Sequence, residues 1–193
     1  DKLNRIHWKL SSKKDEFIVK EYSLPIDVPC SVFLDLKCYS DDEMTLPVFD
    51  TLIETFLSLS QFLIDNERVH SVIFFNASQN LFVERNISDS TDLSAVIHEI
   101  ISSINDNLFS QSPEQYFSEN SYLSFASFTY ITSSTNETVL EIIDENVDAD
   151  YKNAVIIVNT PESASEISSE YTSLALTPVV IGKITASIKD IDI

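Results

Sequence analysis

Short continuous apolar runs alternate along this chain with segments in which apolar residues recur every three or four positions. The runs are rich in β-branched and aromatic side chains, which is typical of strands that are buried on both faces. We expect the interior strands to cover residues 30–36, 69–76, 125–132 and 154–159. Because strands that alternate with helices form parallel sheets, the pattern predicts a three-layer, doubly wound α/β domain with a Rossmann-like, mainly parallel sheet.

Two further runs are predicted to complete the sheet. Residues 81–87 alternate between apolar and polar side chains, and only a four-residue loop separates them from the run before, so they predict an antiparallel edge strand. Residues 178–181 predict a last core strand. The weak alternation of residues 184–193 predicts an additional edge.

The helical segments carry recognisable start signals. Thr45 is the predicted N-cap of the first helix, with Pro47 in its first turn. The sequence from Ser134 to Glu137 has the spacing of a capping box and predicts the start of another helix. Thr160 precedes a proline and a glutamate, which indicates an N-cap followed by a first helical turn.

Glycine and charge exclude several classes of function. Phosphate-binding loops need glycines that let backbone N–H groups approach the anion, and this chain contains a single glycine, Gly182. The net charge of −19 repels nucleic-acid backbones and anionic lipids. The sequence therefore predicts neither a nucleotide-binding loop nor a nucleic-acid partner.

The residues that most often carry catalysis are few and far apart. Cys30 and Cys38 flank one predicted strand and are expected to be reduced thiols. His7, His70 and His98 have no metal-binding spacing, and a surface or core-rim position is favoured for His70 and His98. We therefore expect no enzyme activity and no cofactor.

A basic arm precedes an acidic body. Residues 1–20 hold six basic and three acidic side chains, a net charge of +3, whereas the remainder has a net charge of −22. Docking of the arm on the body is the simpler interpretation. The domain organisation expected is an arm over residues 1–24, packed on an α/β domain over residues 25–193.

Polar residues at the carboxyl ends of the predicted strands are the candidates for a binding site, because ligands of doubly wound sheets bind there. Asp35 ends the first central strand and is the most prominent carboxylate among them. The others are residues 76–78, 132–134 and 159–160.

The first 35 residues carry a motif that resembles a bacterial family, domain of unknown function 58. The similarity begins with R-I-H-W-K at residues 5–9 (Arg5, His7, Trp8 and Lys9), which resembles the family's R-x-I-H-W-K. It continues with a small-small-basic step at residues 11–13, a strand ending in Glu21, and a strand ending in Asp35. These signature residues are expected to be structural.

This resemblance implies a von Willebrand factor A-like domain within a longer, membrane-anchored bacterial protein. Members of the family are typically found with MoxR-type AAA+ ATPases. The resemblance therefore implies a protein partner and a place on the cytoplasmic face of the membrane. The membrane anchor itself is expected only in the missing parts of the parent chain. The chain begins at Asp1, without a methionine, and we expect it to be a piece of that parent. No segment of this sequence has the roughly 18 consecutive apolar residues that predict a membrane span.

The same resemblance raises the question of a metal site. In metal-binding von Willebrand A domains the first strand ends in D-x-S-x-S, and later loops add a Thr and a further Asp. Asp35 matches the first position, but Lys37 and Tyr39 stand at the serine positions. Asp89 and Asp92 could substitute, although capping of the second helix is the simpler role for both.

We therefore expect a vestigial site without metal, and two functions remain. The first is a non-catalytic protein-interaction domain that works with a MoxR-type ATPase in the assembly or maturation of other proteins. The alternative is a metal-dependent adhesion or ligand-binding domain with an atypical site.

Overall fold

A computed structural model describes residues 30–37, 44–103, 113–120, 124–167 and 171–182. The predictions for the basic arm, for Tyr39 and for residues 184–193 lie outside the described residues.

Six strands form one sheet in the order β3-β2-β1-β4-β5-β6. All neighbouring strands are parallel except β2 and β3, which are antiparallel. The strands are β1 (Cys30–Leu34), β2 (His70–Asn76), β3 (Leu81–Ile87), β4 (Ser124–Thr132), β5 (Asp148–Val158) and β6 (Leu174–Val180).

Helices cover both faces of the sheet. Their bounds are α1 (Thr45–Asp65), α2 (Ser90–Ser103), α3 (Pro113–Glu119), α4 (Glu137–Asn146) and α5 (Pro161–Glu166). Helices α1 and α2 pack on one face, and α3, α4 and α5 lie on the other. The predicted three-layer α/β architecture with a mainly parallel sheet is therefore confirmed.

Strand β1 lies at the centre of this arrangement and is buried on both faces. Because successive side chains of a strand point to opposite faces, Val32 and Leu34 enter the core under α1 while Phe33 enters the core under α3. The ring of Phe33 lies 4.8 Å from the ring centre of Phe117 and 5.2 Å from that of Tyr116. Tilted aromatic contacts of this kind add to the free energy gained from burial.

The predicted placement of the strands is largely confirmed. All four runs expected in the interior of the sheet lie there, as β1, β2, β4 and β5. Strand β3 is the antiparallel edge, and its pairing with β2 begins directly across the four-residue loop, with Asn76 opposite Leu81.

Two details of the prediction are wrong. Thr45 is the first helical residue rather than the N-cap, because the N-cap is Met44, which already has helical backbone angles and whose side chain makes no capping hydrogen bond. Ser134 does not cap α4, since Asn136 is extended there and its side chain accepts from the Thr138 N–H. The predicted strand at residues 178–181 is confirmed as the second half of β6, which ends the sheet formed by the described residues, and Pro178 suits that position because proline has no N–H to donate.

Helix α1 has the length and the apolar composition of a membrane-spanning helix, although the sequence predicted no such segment. Its apolar residues have another role in the fold. Val48, Leu52, Phe56, Leu59 and Leu63 are buried against the sheet, at the spacing of one helical face. The hydropathy of α1 is thus accounted for by its position in the core.

His70 is more deeply buried than the sequence indicated. It begins β2 opposite Cys30, and only 1% of its surface is exposed. Its Nδ1 lies 3.4 Å from the Arg68 carbonyl oxygen, whereas its Nε2 is buried and has no hydrogen-bond partner among the residues that the structure describes. Burial lowers the pKa of His70 because a charged imidazolium would be poorly solvated there.

We expect His70→Leu to raise the free energy of unfolding by about 1 kcal/mol at neutral pH, because it removes a buried polar atom without a partner. The gain should increase as the pH falls below 6.5, since the unfolded chain then binds a proton that the folded state disfavours. Urea denaturation on either side of that pH measures both effects. His98→Leu, at an exposed position of α2, is the control and should change neither.

Candidate functional site

The candidate site lies where the order of the strands reverses. The chain proceeds from β1 outward to β2 and β3, then returns to β4 on the other side of β1. In doubly wound sheets this switch point leaves a crevice at the carboxyl ends of the two central strands. Asp35 follows β1 at that end, and its N–H continues the ladder by donating to the Ile131 carbonyl at 2.9 Å.

The carboxylate of Asp35 is buried and accepts three hydrogen bonds. The Tyr130 hydroxyl donates to its Oδ2 at 3.0 Å, and the Thr132 hydroxyl donates to the same oxygen at 3.1 Å. The backbone N–H of Lys37 donates to Oδ1, also at 3.1 Å. Both oxygens therefore have donors from this chain, and the last bond turns the backbone immediately after β1.

Burial raises the pKa of Asp35, because the ionised form loses its hydration. The Lys37 N–H, the hydroxyls of Tyr130 and Thr132, and the positive charge of Lys37 all oppose this effect. Burial is the largest of these causes, so the net direction of the shift is upward.

A chain of hydrogen bonds connects this site to the start of α4. The Ser134 N–H donates to the Thr132 hydroxyl oxygen, and the Asn136 N–H donates to the Ser134 hydroxyl. On the other side, the Ser133 hydroxyl donates to the Lys37 carbonyl at 3.1 Å. The loop after β4 is therefore fixed to the loop after β1.

The donor set of this site does not fit Mg²⁺. That ion requires near-octahedral oxygen coordination, with one or two carboxylates. Of the residues that the structure describes, Asp35 supplies the one carboxylate at this site; its oxygens already accept hydrogen bonds, and Lys37 contributes a positive charge. Among the described residues, no cluster of three or more His, Cys, Asp or Glu side chains could hold a metal ion.

The aspartates considered as substitute ligands are helix caps. Asp89 accepts from the N–H groups of Thr91 and Asp92 at the start of α2. The carboxylate of Asp92 in turn accepts from the Ser88 N–H. These bonds occupy the first turn of α2, as the sequence predicted.

Residues 132–134 join the Asp35 site, whereas the predicted strand-end residues after β2 and β5 do not. Asn76 at the end of β2 donates to Glu99, which also forms a bidentate pair with Arg85 at 2.8 Å. Thr160 after β5 caps α5 by accepting from the Ser163 N–H. The signature residues Arg5, His7, Trp8, Lys9 and Glu21 lie outside the described residues.

Two features escaped the sequence analysis. Tyr130 reaches Asp35 because it lies in β4 directly opposite Phe33, and this register was not predictable from either strand alone. The second feature is a cleft of about 430 Å³ on the α4 and α5 side of the sheet. Its walls come from separate segments between Thr135 and Leu176, so no local motif marks it.

No protein-family model, curated protein or solved structure matches this chain.

Substitutions at Asp35 test its structural role. We expect Asp35→Ala to lower the free energy of unfolding by about 2–3 kcal/mol, because three buried donors lose their acceptor. Asp35→Asn should stay within about 1 kcal/mol of wild type at neutral pH, since it keeps an acceptor and removes the buried charge. Urea denaturation followed by circular dichroism measures both changes.

The raised pKa also predicts a pH dependence. The folded state binds a proton at Asp35 more readily than the unfolded state does, so stability from this group falls as the pH rises through its folded pKa. Wild type should therefore gain stability relative to Asp35→Asn as the pH is lowered from neutral towards 3.8. A difference that is constant over this range would contradict a raised pKa at Asp35.

Proposed function

We propose that this chain is a non-catalytic protein-interaction domain of a larger, membrane-anchored bacterial protein. In this proposal it works at the cytoplasmic face of the membrane with a MoxR-type AAA+ ATPase, in the assembly or maturation of other proteins. The ATPase performs the chemistry, and the α/β domain supplies the platform on which a partner docks.

The observation that carries the proposal is the burial of Asp35 and the hydrogen bonding of both its carboxylate oxygens within the chain. A nucleophilic or metal-binding carboxylate needs an oxygen that is accessible to substrate or ion. Here Tyr130, Thr132 and the Lys37 N–H occupy the oxygens of a side chain that is only 5% exposed. This arrangement favours a structural role at the position where doubly wound domains usually perform chemistry.

The topology supports a finer assignment of the fold. We propose that the domain is von Willebrand factor A-like, because the resemblance over residues 5–35 implies that fold. The six-stranded sheet with one antiparallel edge next to β2 is compatible with it.

One observation favours the alternative, a metal-dependent adhesion or ligand-binding domain. Thr132 lies within hydrogen-bond distance of Asp35, and metal-binding von Willebrand A domains combine an Asp with a Thr from a later loop. Lys37 and Tyr39 at the serine positions argue against this function.

Metal titration separates the two functions. We expect no saturable binding of Mg²⁺ or Mn²⁺ by the wild-type chain in the millimolar range, because the hydroxyl ligands are missing and Lys37 repels a divalent cation. The double variant Lys37→Ser with Tyr39→Ser restores the D-x-S-x-S pattern and should bind weakly. Isothermal titration measures both. Submillimolar binding by wild type that is lost in Asp35→Ala would establish the adhesion alternative instead.

A partner experiment tests the main proposal directly. The full-length parent is purified with the MoxR-type ATPase encoded in the same genome, and the ATP hydrolysis rate is measured with and without the parent. We expect a stable complex and a changed hydrolysis rate. A parent that binds neither this ATPase nor a stoichiometric protein partner after crosslinking would contradict the proposal.

A further inference from the structure

A cleft on the second face of the sheet is independent of the Asp35 site. It lies between α4, α5, the carboxyl half of β5 and the first residues of β6, and its volume of about 430 Å³ falls in the range typical of small-molecule sites. Ile156, Val158 and Leu176 from the strands and Leu140 from α4 form its apolar part. Such a surface would bind the apolar body of a ligand.

Polar groups line the same cleft. The lining includes Thr135, Ser163 and Tyr171, which carry hydroxyls, and Glu137, which carries a carboxylate. Glu137 begins α4, and it forms no hydrogen bond or ion pair with any residue in the described part of the chain. Its charge is therefore available to a ligand. In contrast, the carboxylate oxygens of Asp35 already accept hydrogen bonds from within the chain.

The charges around the cleft select against anions. The first turns of α4 and α5 already hold the carboxylates of Glu137 and Glu162, where a bound anion would otherwise be stabilised. Helix α4 also carries Glu141, Asp144 and Glu145 and no basic residue. The nearby Lys152 donates to the Asp144 carbonyl. The local field therefore favours a cation.

One wall of the cleft is held in place by hydrogen bonds. The Asp144 carboxylate accepts from the N–H groups of Thr172 and Ser173 at 2.9 Å and from the Ser173 hydroxyl at 2.6 Å. These bonds fix the segment that follows Tyr171 against α4. A site whose walls are already ordered loses less entropy when it binds a ligand.

We propose that this cleft binds a small organic cation, with its ammonium group at Glu137 and its apolar body against Leu176 and Ile167, which are partly exposed. The hydroxyl of Thr135 lies in the same lining and accepts from the ammonium. This binding site goes beyond the proposed interaction function and does not depend on it.

The probe is hexylammonium, compared with hexanoate and hexanol of the same chain length. We expect the full chain to bind one hexylammonium with a Kd on the order of 1 mM, and to bind hexanoate and hexanol at least about fivefold more weakly. Isothermal titration gives the stoichiometry and the affinity. Equal affinity for hexanoate, or binding without saturation, would overturn the proposal.

Matched substitutions assign the effect to the cleft. Glu137→Gln should weaken hexylammonium binding about fivefold, whereas Glu141→Gln, which removes the same charge one turn further along α4, should leave it nearly unchanged. Leu176→Phe fills the apolar part and should abolish binding of a chain that still folds by circular dichroism. An equal loss in both glutamine variants would mean that only the general acidic field attracts the amine.

A last comparison distinguishes a free amine from a protein side chain. N-acetyl-lysine-N-methylamide carries the same ammonium group on a peptide backbone. We expect it to bind more weakly than hexylammonium, because its backbone has to be accommodated at the mouth of the cleft. Tighter binding of the lysine compound would overturn the small-molecule site and assign the cleft to a partner protein.

Discussion

The burial of β1 on both faces is the constraint on which the other layers depend. This strand has only five residues, yet it pairs with β2 and β4 and contributes side chains to both cores. Phe33 contacts four aromatic rings on one face, while Val32 and Leu34 pack under the helices of the other. Because adjacent residues of this strand belong to opposite cores, polar substitutions within it would disturb the packing of both layers.

The same constraint determines where Asp35 lies and how it is bound. Since β2 and β4 extend beyond the end of β1, the residue after β1 remains between these two strands. Its carboxylate is therefore buried. Tyr130 and Thr132 lie on the same side of β4, two residues apart, so their hydroxyls reach one carboxylate oxygen together. The chain thus compensates a buried charge with its own donors, which leaves the carboxylate little capacity to bind anything else.

The sequence determined the layers of the fold better than the contacts within them. Apolar runs and helical spacing were sufficient for the interior strands, because burial on two faces leaves a continuous pattern, as at residues 124–132. They could not reveal that Tyr130 contacts Asp35, since that depends on the register between β1 and β4. Helix starts also escaped prediction: Ser134, Thr135 and Asn136 are all able to cap, and the backbone of the loop selects Asn136. The complete burial of His70 was not predicted either, because histidine is common at protein surfaces.

Two carboxylates near the carboxyl edge of the sheet differ in how far local packing leaves them accessible to a ligand. Asp35 lies at the central switch point, where both oxygens accept hydrogen bonds from within the chain. Glu137 begins the next helix after β4, with its carboxylate unpaired in the described part of the chain and beside an open apolar cleft. The loop over residues 133–136 connects the two positions, because Ser134 and Asn136 extend the hydrogen bonds of Thr132 to the start of α4. Glu137 is therefore the more accessible of the two carboxylates, and ligand binding at this edge is expected beside the switch point rather than at it.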